Sequence, residues 1–462
     1  MPLLGAVIVP HPPVILPAVG RGREREIQNV TDAYRAAAQR VADWNPDVLI
    51  LSSPHIVMYA DYFHIPPGKR TAGDMARFGA PGTRLEMEYD IELRREIIAQ
   101  AEAAGIRAGT SGERDAALDH GSFIPLYFLR EAGVNVPVVR LGLSGCSPLT
   151  HYRLGQCVAQ SVEKRNRRAV YIASGDLSHK LRDDGPYGYT EEGPVFDEAM
   201  TEIMQSGDFL RFLTLDPSMC ERAAECGLRS FQIMAGALDG FAVTPEFLCH
   251  EDKFGVGYGI ATFTVTGRDE SRRYAERYES AERERLARRK ASEDAWVKLA
   301  RRSLETYVRT GKPLETLPDG LPEELTKRRA GAFVSLHIRE NLRGCIGTTA
   351  PTTDCVAWEI VQNAISAGTR DPRFPPLRES ELDKLEYSVD VLGAPEPIAS
   401  AAELDVKRYG VIVSCGARRG LLLPDLDGVD SVEEQIDIAR RKGNIAVREP
   451  YALERFEVVR HT

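Results

Sequence analysis

The chain has 462 residues, which is too long for one ordinary hydrophobic core, so we expect two or three domains. Its net charge of −9 argues against a nucleic-acid partner, because proteins that bind nucleic acids are normally basic. No apolar stretch reaches the roughly 18 residues of a membrane span, and the first segment lacks the basic region of a signal peptide, so we expect a cytoplasmic protein without a membrane partner.

Apolar runs alternate with helical patterns in the first part of the chain. Apolar residues recur at helical spacing in Glu24–Trp44 and Asp90–Ala104. Strands alternating with helices predict a doubly wound α/β domain over residues 1–267. The runs typical of buried strands are Leu3–Val9, Val48–Leu51, Val136–Leu143, Ala169–Ala173 and Gly259–Val265.

A densely charged segment follows this domain. Arg268–Lys290 is rich in arginine and glutamate and contains neither Gly nor Pro. Opposite charges recur at helical spacing, as in Glu279 with Arg283. We therefore expect a solvated helical linker over residues 268–291.

The remaining residues, 292–462, predict a second and smaller domain. Trp296, Leu299 and Leu304 lie on one face of a helix that ends at Gly311. The order of elements mixes helices and strands without regular alternation, so an α+β domain is expected. The later elements are strands at 331–338, 385–392 and 410–414 and a helix at 431–442.

Three histidines follow directly on predicted strands of the first domain. They are His11, His55 and His179. If these strands share one parallel sheet, the three imidazoles meet at its carboxyl edge, where open α/β sheets bind ligands. Imidazole is the commonest metal ligand and is suited to proton transfer near neutral pH. The alternative is that each histidine caps its strand independently.

A metal site needs further ligands beside the natural pair His11 and His55. Two histidines and one carboxylate on one face of Fe(II) leave positions open for a substrate and dioxygen. The candidate carboxylates are Glu225, which precedes an apolar helical run, and Glu251, in a polar stretch.

Acid–base work would fall to the histidines that do not bind metal. His120 and His179 lie near Asp119 and Asp176, which could orient an imidazole or raise its pKa. For His120, a loop or helix-cap role is the alternative.

Four motifs together resemble the LigB-type class III extradiol ring-cleaving dioxygenases and the related Memo family. The resemblance covers essentially residues 1–267. The motifs are Val9–Pro13, Ser53–His55, Asp119–Gly121 and Gly175–His179.

This resemblance implies a set of metal ligands. In the dioxygenases two histidines and a glutamate hold non-haem Fe(II), which carries over onto His11, His55 and Glu225; another divalent metal is left open. Memo relatives use a third histidine at the position of His179 and have a cysteine near the metal where Cys226 lies. The chain offers both sets of ligands.

The activity that the resemblance implies is that of an oxidoreductase, an extradiol-type dioxygenase acting on a catecholic or related aromatic substrate. His179 or His120 would remove a phenolic proton and later act as an acid. Two alternatives stay open. One is a step in modifying a peptide, a protein or a small molecule, and the other is a non-catalytic metal-binding interaction module.

A cysteine flanked by glycines marks the second domain. In Leu342–Gly347, Cys345 lies between Gly344 and Gly347, and Arg343 could lower the pKa of its thiol, making Cys345 a candidate catalytic residue. A buried structural cysteine is the alternative.

This motif, with Arg370–Leu377 downstream, closely resembles the AMMECR family signature over about residues 292–462. The resemblance suggests association with Memo-like domains and with a radical S-adenosylmethionine enzyme. The whole chain therefore resembles the AmmeMemoRadiSam group. Whether it forms a homo-oligomer is left open.

Overall fold

A computed structural model describes residues 2–339, 341–426 and 428–462. Its contacts divide the chain into two compact units, Met1–Ser280 and Ala281–Thr462. Among the described residues, no helix combines the length and the apolarity needed to cross a membrane.

The first unit is an α/β domain, as predicted. Its strands are β1 Leu3–Val9, β2 Val48–Ser53, β3 Phe63–His64, β4 Arg70–Met75, β5 Ala80–Glu88, β6 Ala108–Gly109, β7 Val138–Gly142, β8 Ala169–Ser174, β9 Phe241–Glu251 and β10 Tyr258–Arg268. Its helices are α1 Pro17–Gly20, α2 Gln28–Trp44, α3 Ile91–Ala103, α4 His120–Glu131, α5 Pro148–Lys164, α6 Glu192–Ser206, α7 Pro217–Ala223 and α8 Leu228–Ala237, and α9 Tyr274–Ser292 begins here.

Six strands form the main sheet, in the order β7-β2-β8-β1-β10-β9. The first four run parallel, whereas β10 and β9 are antiparallel to their neighbours. The strand predicted at Gly259–Val265 is therefore present in β10, but as part of an antiparallel hairpin at the sheet edge.

The parallel strands are apolar throughout because both faces of the sheet are covered. In β1, Leu3, Ala6 and Ile8 belong to the hydrophobic core on one face, and Val7 and Val9 belong to the core on the other. Side chains alternate between faces along a strand, so a strand between two cores reads as a continuous apolar run.

The second unit is an α+β domain, also as predicted. Its strands are β11 Ala332–Ile338, β12 Asn341–Gly347, β13 Glu386–Leu392, β14 Glu396–Ile398, β15 Tyr409–Cys415, β16 Arg418–Leu422 and β17 Ala452–His461. Its helices are α10 Ala295–Thr310, α11 Glu323–Lys327, α12 Val356–Thr369 and α13 Val432–Lys442. Antiparallel strands form the sheet in the order β12-β11-β13-β17-β15-β16, with β14 on β17.

The charged segment predicted as a linker is helical, but it is not solvated along its whole length. Tyr274 and Tyr278 are buried in a core of the first unit. In the second unit, Arg285 and Arg289 pair with the buried carboxylate of Glu386 at 2.6 and 3.0 Å. The division between the units falls inside α9, later than the boundary predicted after residue 267.

Candidate metal centre

The carboxyl ends of three neighbouring strands bring the predicted histidines to one edge of the sheet. Val9 of β1 lies opposite Ser174 of β8, and Ser52 of β2 lies opposite Ala173. His11 and His55 therefore leave the sheet side by side. The nitrogen atoms Nε2 of these two rings are 3.0 Å apart.

The tautomer of His11 follows from its hydrogen bonds. Its Nδ1 lies 2.9 Å from the hydroxyl of Ser174, and that hydroxyl donates to the carbonyl of Gly121 at 2.6 Å. Because a carbonyl only accepts and a serine hydroxyl has one proton, Ser174 must accept from Nδ1–H of His11. Nε2 of a neutral His11 then carries a lone pair, as a metal ligand requires.

Two sets of potential ligand atoms share His11. We call His11, His55 and His120 the histidine cluster, and their ligand atoms lie within 4.8 Å of one another. His11, Asp176 and Cys226 form a second set within the same limit. From Nε2 of His11, the Asp176 carboxylate and the Cys226 sulfur each lie 3.7 Å away.

Burial keeps the imidazoles neutral. It holds the pKa of His11 well below its ordinary value, and it lowers the pKa of His120 to about 3. His55 keeps an exposed edge, but its partial removal from water also lowers its pKa. Burial raises the pKa of Asp176 to about 6. Neutral imidazoles beside a carboxyl group and a thiol suit a divalent transition metal, so these residues fit the metal that the resemblance implies.

An ion pair of Asp119 holds the start of α4, whose first residue is His120. Asp119 caps α4 through the Ser122 amide at 2.9 Å and accepts from Arg140 at 2.7 Å and from Ser53 at 2.7 Å. Burial raises the pKa of Asp119, but Arg140 and the hydroxyls of Ser53 and Ser122, which also donate to this carboxylate, lower it below its ordinary value.

Arg140 was not predicted as part of the site, although the sequence carries a signal for it. Arg140 is 2% exposed and interrupts the otherwise apolar run Val138–Gly142. An arginine inside a buried strand needs a buried carboxylate partner. Ser174, the last residue of β8, gave no comparable signal, since its role depends on the ring beside it.

His179 lies beside the histidine cluster but belongs to neither set of ligand atoms. It interacts electrostatically with His11 and Asp176. Its Nε2 is buried and has no hydrogen-bond partner among the described residues, and its ring stacks on Tyr187 with centroids 5.1 Å apart. Burial lowers the pKa of His179, whereas the Asp176 carboxylate raises it.

Glu225 belongs to neither of these two sets of ligand atoms. Its carboxylate accepts from the backbone amide of Leu228 at 2.7 Å, at the start of α8. The first amides of a helix lack partners within the helix, so a nearby carboxylate binds them readily. Its position gives no support to Glu225 as the third metal ligand, a role that stays a prediction. Glu251 instead accepts from Asn29 at 2.7 Å.

In the second unit, Cys345 lies on the edge strand β12 and is half-buried. Its sulfur accepts from the hydroxyl of Ser335 at 3.2 Å, and its amide donates to Asp371 at 2.9 Å. Arg373 pairs with Asp371 and reaches the Cys345 carbonyl at 3.2 Å, and Lys442 interacts electrostatically with Cys345. We call these five residues the thiol site.

Arg343 was predicted to act on the Cys345 thiol, but the arginine that contacts Cys345 in the structure is Arg373. Arg343 forms two hydrogen bonds with the carboxylate of Glu381, at 2.8 and 3.2 Å, and pairs with no atom of the thiol. Arg343 has no partner on β11 because the register of β11 and β12 shifts there, so regular strand alternation does not place its side chain beside Cys345. Glu381 binds its guanidinium. Arg373 takes the predicted position near Cys345.

Comparison with known families defines the class of protein. The model of the family described as the catalytic LigB subunit of aromatic ring-opening dioxygenase matches residues 5–261, and the AMMECR1 model matches residues 297–461. The chain belongs to the LigB family and carries a C-terminal AMMECR1 domain.

Other proteins match all or part of this chain. A Clostridium acetobutylicum protein is 40% identical and covers 100% of this chain and 99% of its own length. A Thermotoga maritima protein is 57% identical over 33% of this chain and 88% of its own. The solved structure of an uncharacterized Pyrococcus horikoshii protein is 34% identical, covers 36% of this chain and 88% of that chain, and has a TM-score of 0.33.

Proposed function

We propose that this chain is a metal-dependent ring-cleaving dioxygenase that opens a catecholic or related aromatic ring beside its two hydroxyl groups. The observation that carries the proposal is the pair of Nε2 atoms of His11 and His55, 3.0 Å apart, with the tautomer of His11 set by Ser174. Fe(II) held there would supply the open coordination positions at which a vicinal diol and dioxygen react.

The residues around this pair would transfer protons and set the charge of the site. His179 has a buried Nε2 without a partner, so it is free to accept a phenolic proton and to return it when the ring opens. Burial lowers the pKa of His179, so the ring is neutral and able to accept a proton, and the Asp176 carboxylate opposes this shift. The neutral rings of His11 and His120 leave the site without a fixed positive charge.

Two exposed aromatic side chains beside the site favour a planar aromatic substrate. Phe78 contacts the His120 ring edge to face, with centroids 5.3 Å apart, and Tyr187 stacks on His179. Phe78 is 36% exposed and Tyr187 is 59% exposed, so each presents ring surface beside the site. Each ring packs against a histidine and keeps an exposed part, against which an aromatic substrate ring could stack.

The test is a panel of catechols offered to anaerobically purified protein reconstituted with Fe(II). We expect uptake of dioxygen and a coloured ring-opened product that contains both atoms of the consumed O2. We also expect a spectroscopic signal from nitric oxide bound to the iron. If no diol is consumed and nitric oxide does not bind, the dioxygenase proposal is wrong.

A second candidate function is favoured by Cys226. Its sulfur is 3.7 Å from Nε2 of His11, so a thiol belongs to the donor set, as in the Memo resemblance. A step in modifying a peptide or small molecule together with a radical S-adenosylmethionine enzyme would use this set. Product formation that requires both proteins, with no diol consumed by this chain alone, distinguishes this function from the first.

A further inference from the structure

The loop that carries Asp176 and His179 is held through its backbone. From Gly175 to Lys180, every amide donates a hydrogen bond. The acceptors, in chain order, are the carbonyl of Val9 at 3.0 Å, the sulfur of Cys226 at 3.3 Å, the carbonyl of Gly257 at 2.8 Å, the carboxylate of Asp197 at 2.8 Å, the carbonyl of Ala223 at 3.1 Å and the hydroxyl of Ser178 at 3.0 Å.

One of these acceptors is a charged side chain. Asp197 lies on α6, is 3% exposed and binds the amide of Ser178, the residue before His179. Its second oxygen lies 2.7 Å from Nε2 of His250 on β9. Burial raises the pKa of Asp197, while the bonds from His250 and Ser178 lower it, and the same bond to Asp197 raises the pKa of His250.

The backbone at Gly257 is shaped to admit this carboxylate. A Cβ atom on Gly257 would lie 2.0 Å from an oxygen of Asp197, so no larger residue fits without moving the carboxylate. Gly257 also binds the loop directly, since its amide donates to the Ser178 carbonyl and its carbonyl accepts from Leu177, both at 2.8 Å. The loop is therefore held between this glycine and Asp197.

We propose that Asp197 and His250 are positioning residues that hold the imidazole of His179 in place for proton transfer. The order of contacts is His250, Asp197, the Ser178 amide and then His179. The inference rests on the proposed function, because it assigns to His179 the proton transfer described there. Asp197 and His250 contact no reacting atom themselves, so their effect passes through the loop.

The experiment compares His250→Gln and Asp197→Asn with the unaltered full-length protein. Diethyl pyrocarbonate modifies unprotonated imidazoles, and peptide mapping reports the rate at His179. We expect that rate to rise about tenfold, because each variant replaces a charge-assisted hydrogen bond with a weaker neutral one, which shifts a local opening equilibrium by about that factor. In turnover of a catechol, we expect kcat to fall about tenfold or more with KM unchanged, because small misplacements of a catalytic group are costly.

A matched control is Glu246→Gln, which removes another ion pair of β9, with Arg40 at 2.9 Å, away from the loop. We expect this variant to match the unaltered protein in both measurements. Unchanged modification of His179 in folded His250→Gln would overturn the proposal, and so would unfolding of both variants, which would make the pair a stability element. If the unaltered protein consumes no diol, the proposed function fails, while the rates at His179 still test the positioning role.

Discussion

In the first unit, imidazoles gather where burial keeps them neutral, whereas in the second unit a half-buried thiol lies beside cationic side chains. Burial lowers the pKa of His11, His55, His120 and His179 alike. The thiol site keeps Arg373 and Lys442 near Cys345. A neutral lone pair suits a metal. The two sites therefore differ in the charge of the side chains around the candidate reactive atoms.

The largest expected effect is loss of metal from the histidine cluster. Replacing both His11 and His55 with alanine removes the two facing Nε2 atoms, so we expect no stoichiometric iron in anaerobically purified protein, measured by elemental analysis. His461→Ala, which removes a histidine of the second unit, serves as the control. Stoichiometric iron in the double variant would show that the metal binds elsewhere.

Ser174→Ala tests the tautomer argument. Without the hydroxyl, Nδ1–H of His11 loses its acceptor, and we expect metal affinity to fall by about 10- to 100-fold, as for other groups that orient ligating histidines. Competition with a chromogenic chelator measures this change. Ser52→Ala is the matched control, because Ser52 is a buried serine of the neighbouring strand that bonds to Ser230 at 2.6 Å. Equal affinities in the two variants would contradict the role of Ser174.

Alkylation by iodoacetamide compares the thiol site with a core cysteine of the same unit. Cys355 is 6% exposed, whereas Cys345 is half-buried and accepts a hydrogen bond from Ser335. At neutral pH we expect Cys345 to react about tenfold faster or more in native protein, measured by mass-spectrometric mapping. If both cysteines react only after the protein unfolds, Cys345 is structural and its proposed catalytic role should be abandoned.

The charge of the thiol site is also expected to appear in the pH dependence of stability. Arg373 and the Cys345 amide hold the pKa of Asp371 well below its ordinary range. The stabilisation that the ionised Asp371 carboxylate gives to the folded state is therefore fully present above the unfolded-state pKa of about 3.9. It is lost as pH falls through the lower folded-state pKa. We expect Asp371→Asn to lower the free energy of unfolding by about 2 kcal/mol at pH 7 in urea titrations, with a smaller difference near pH 3.

Asp437→Asn provides the control for that titration. Asp437 pairs with Arg440 on α13, but its side chain is 53% exposed, so its loss should change the free energy of unfolding by no more than about 1 kcal/mol. A pH-independent deficit in Asp371→Asn would mean that shape, not charge, explains its contribution.

The smallest expected effect on metal binding is that of Glu225→Gln. The amide oxygen of glutamine can still accept from Leu228, so we expect unchanged metal affinity, whereas Cys226→Ser and His120→Gln should weaken it. Loss of metal from Glu225→Gln alone would restore Glu225 as the third ligand.

Local sequence pattern alone predicted much of the fold. Continuous apolar runs located β1, β2 and β8, because a strand buried on both faces is apolar at consecutive positions. Apolar residues three and four positions apart located α2 and α3, because each of these helices buries one face. The same reasoning predicted that His11 and His55 follow strands of one parallel sheet, and the structure places them after β1 and β2, on either side of β8. The antiparallel direction of β10 was not predictable, since a short apolar run carries no mark of direction.

The chemistry of each site was decided by tertiary structure, because it depends on which groups become neighbours. Ser174 sets the tautomer of His11 from a different strand, and the Leu228 amide takes the carboxylate of Glu225. Glu381 takes Arg343 and leaves Arg373 near Cys345. A residue's type and spacing limit what it can bind, but competition among buried donors and acceptors decides what it does bind, and that competition exists only in the folded chain.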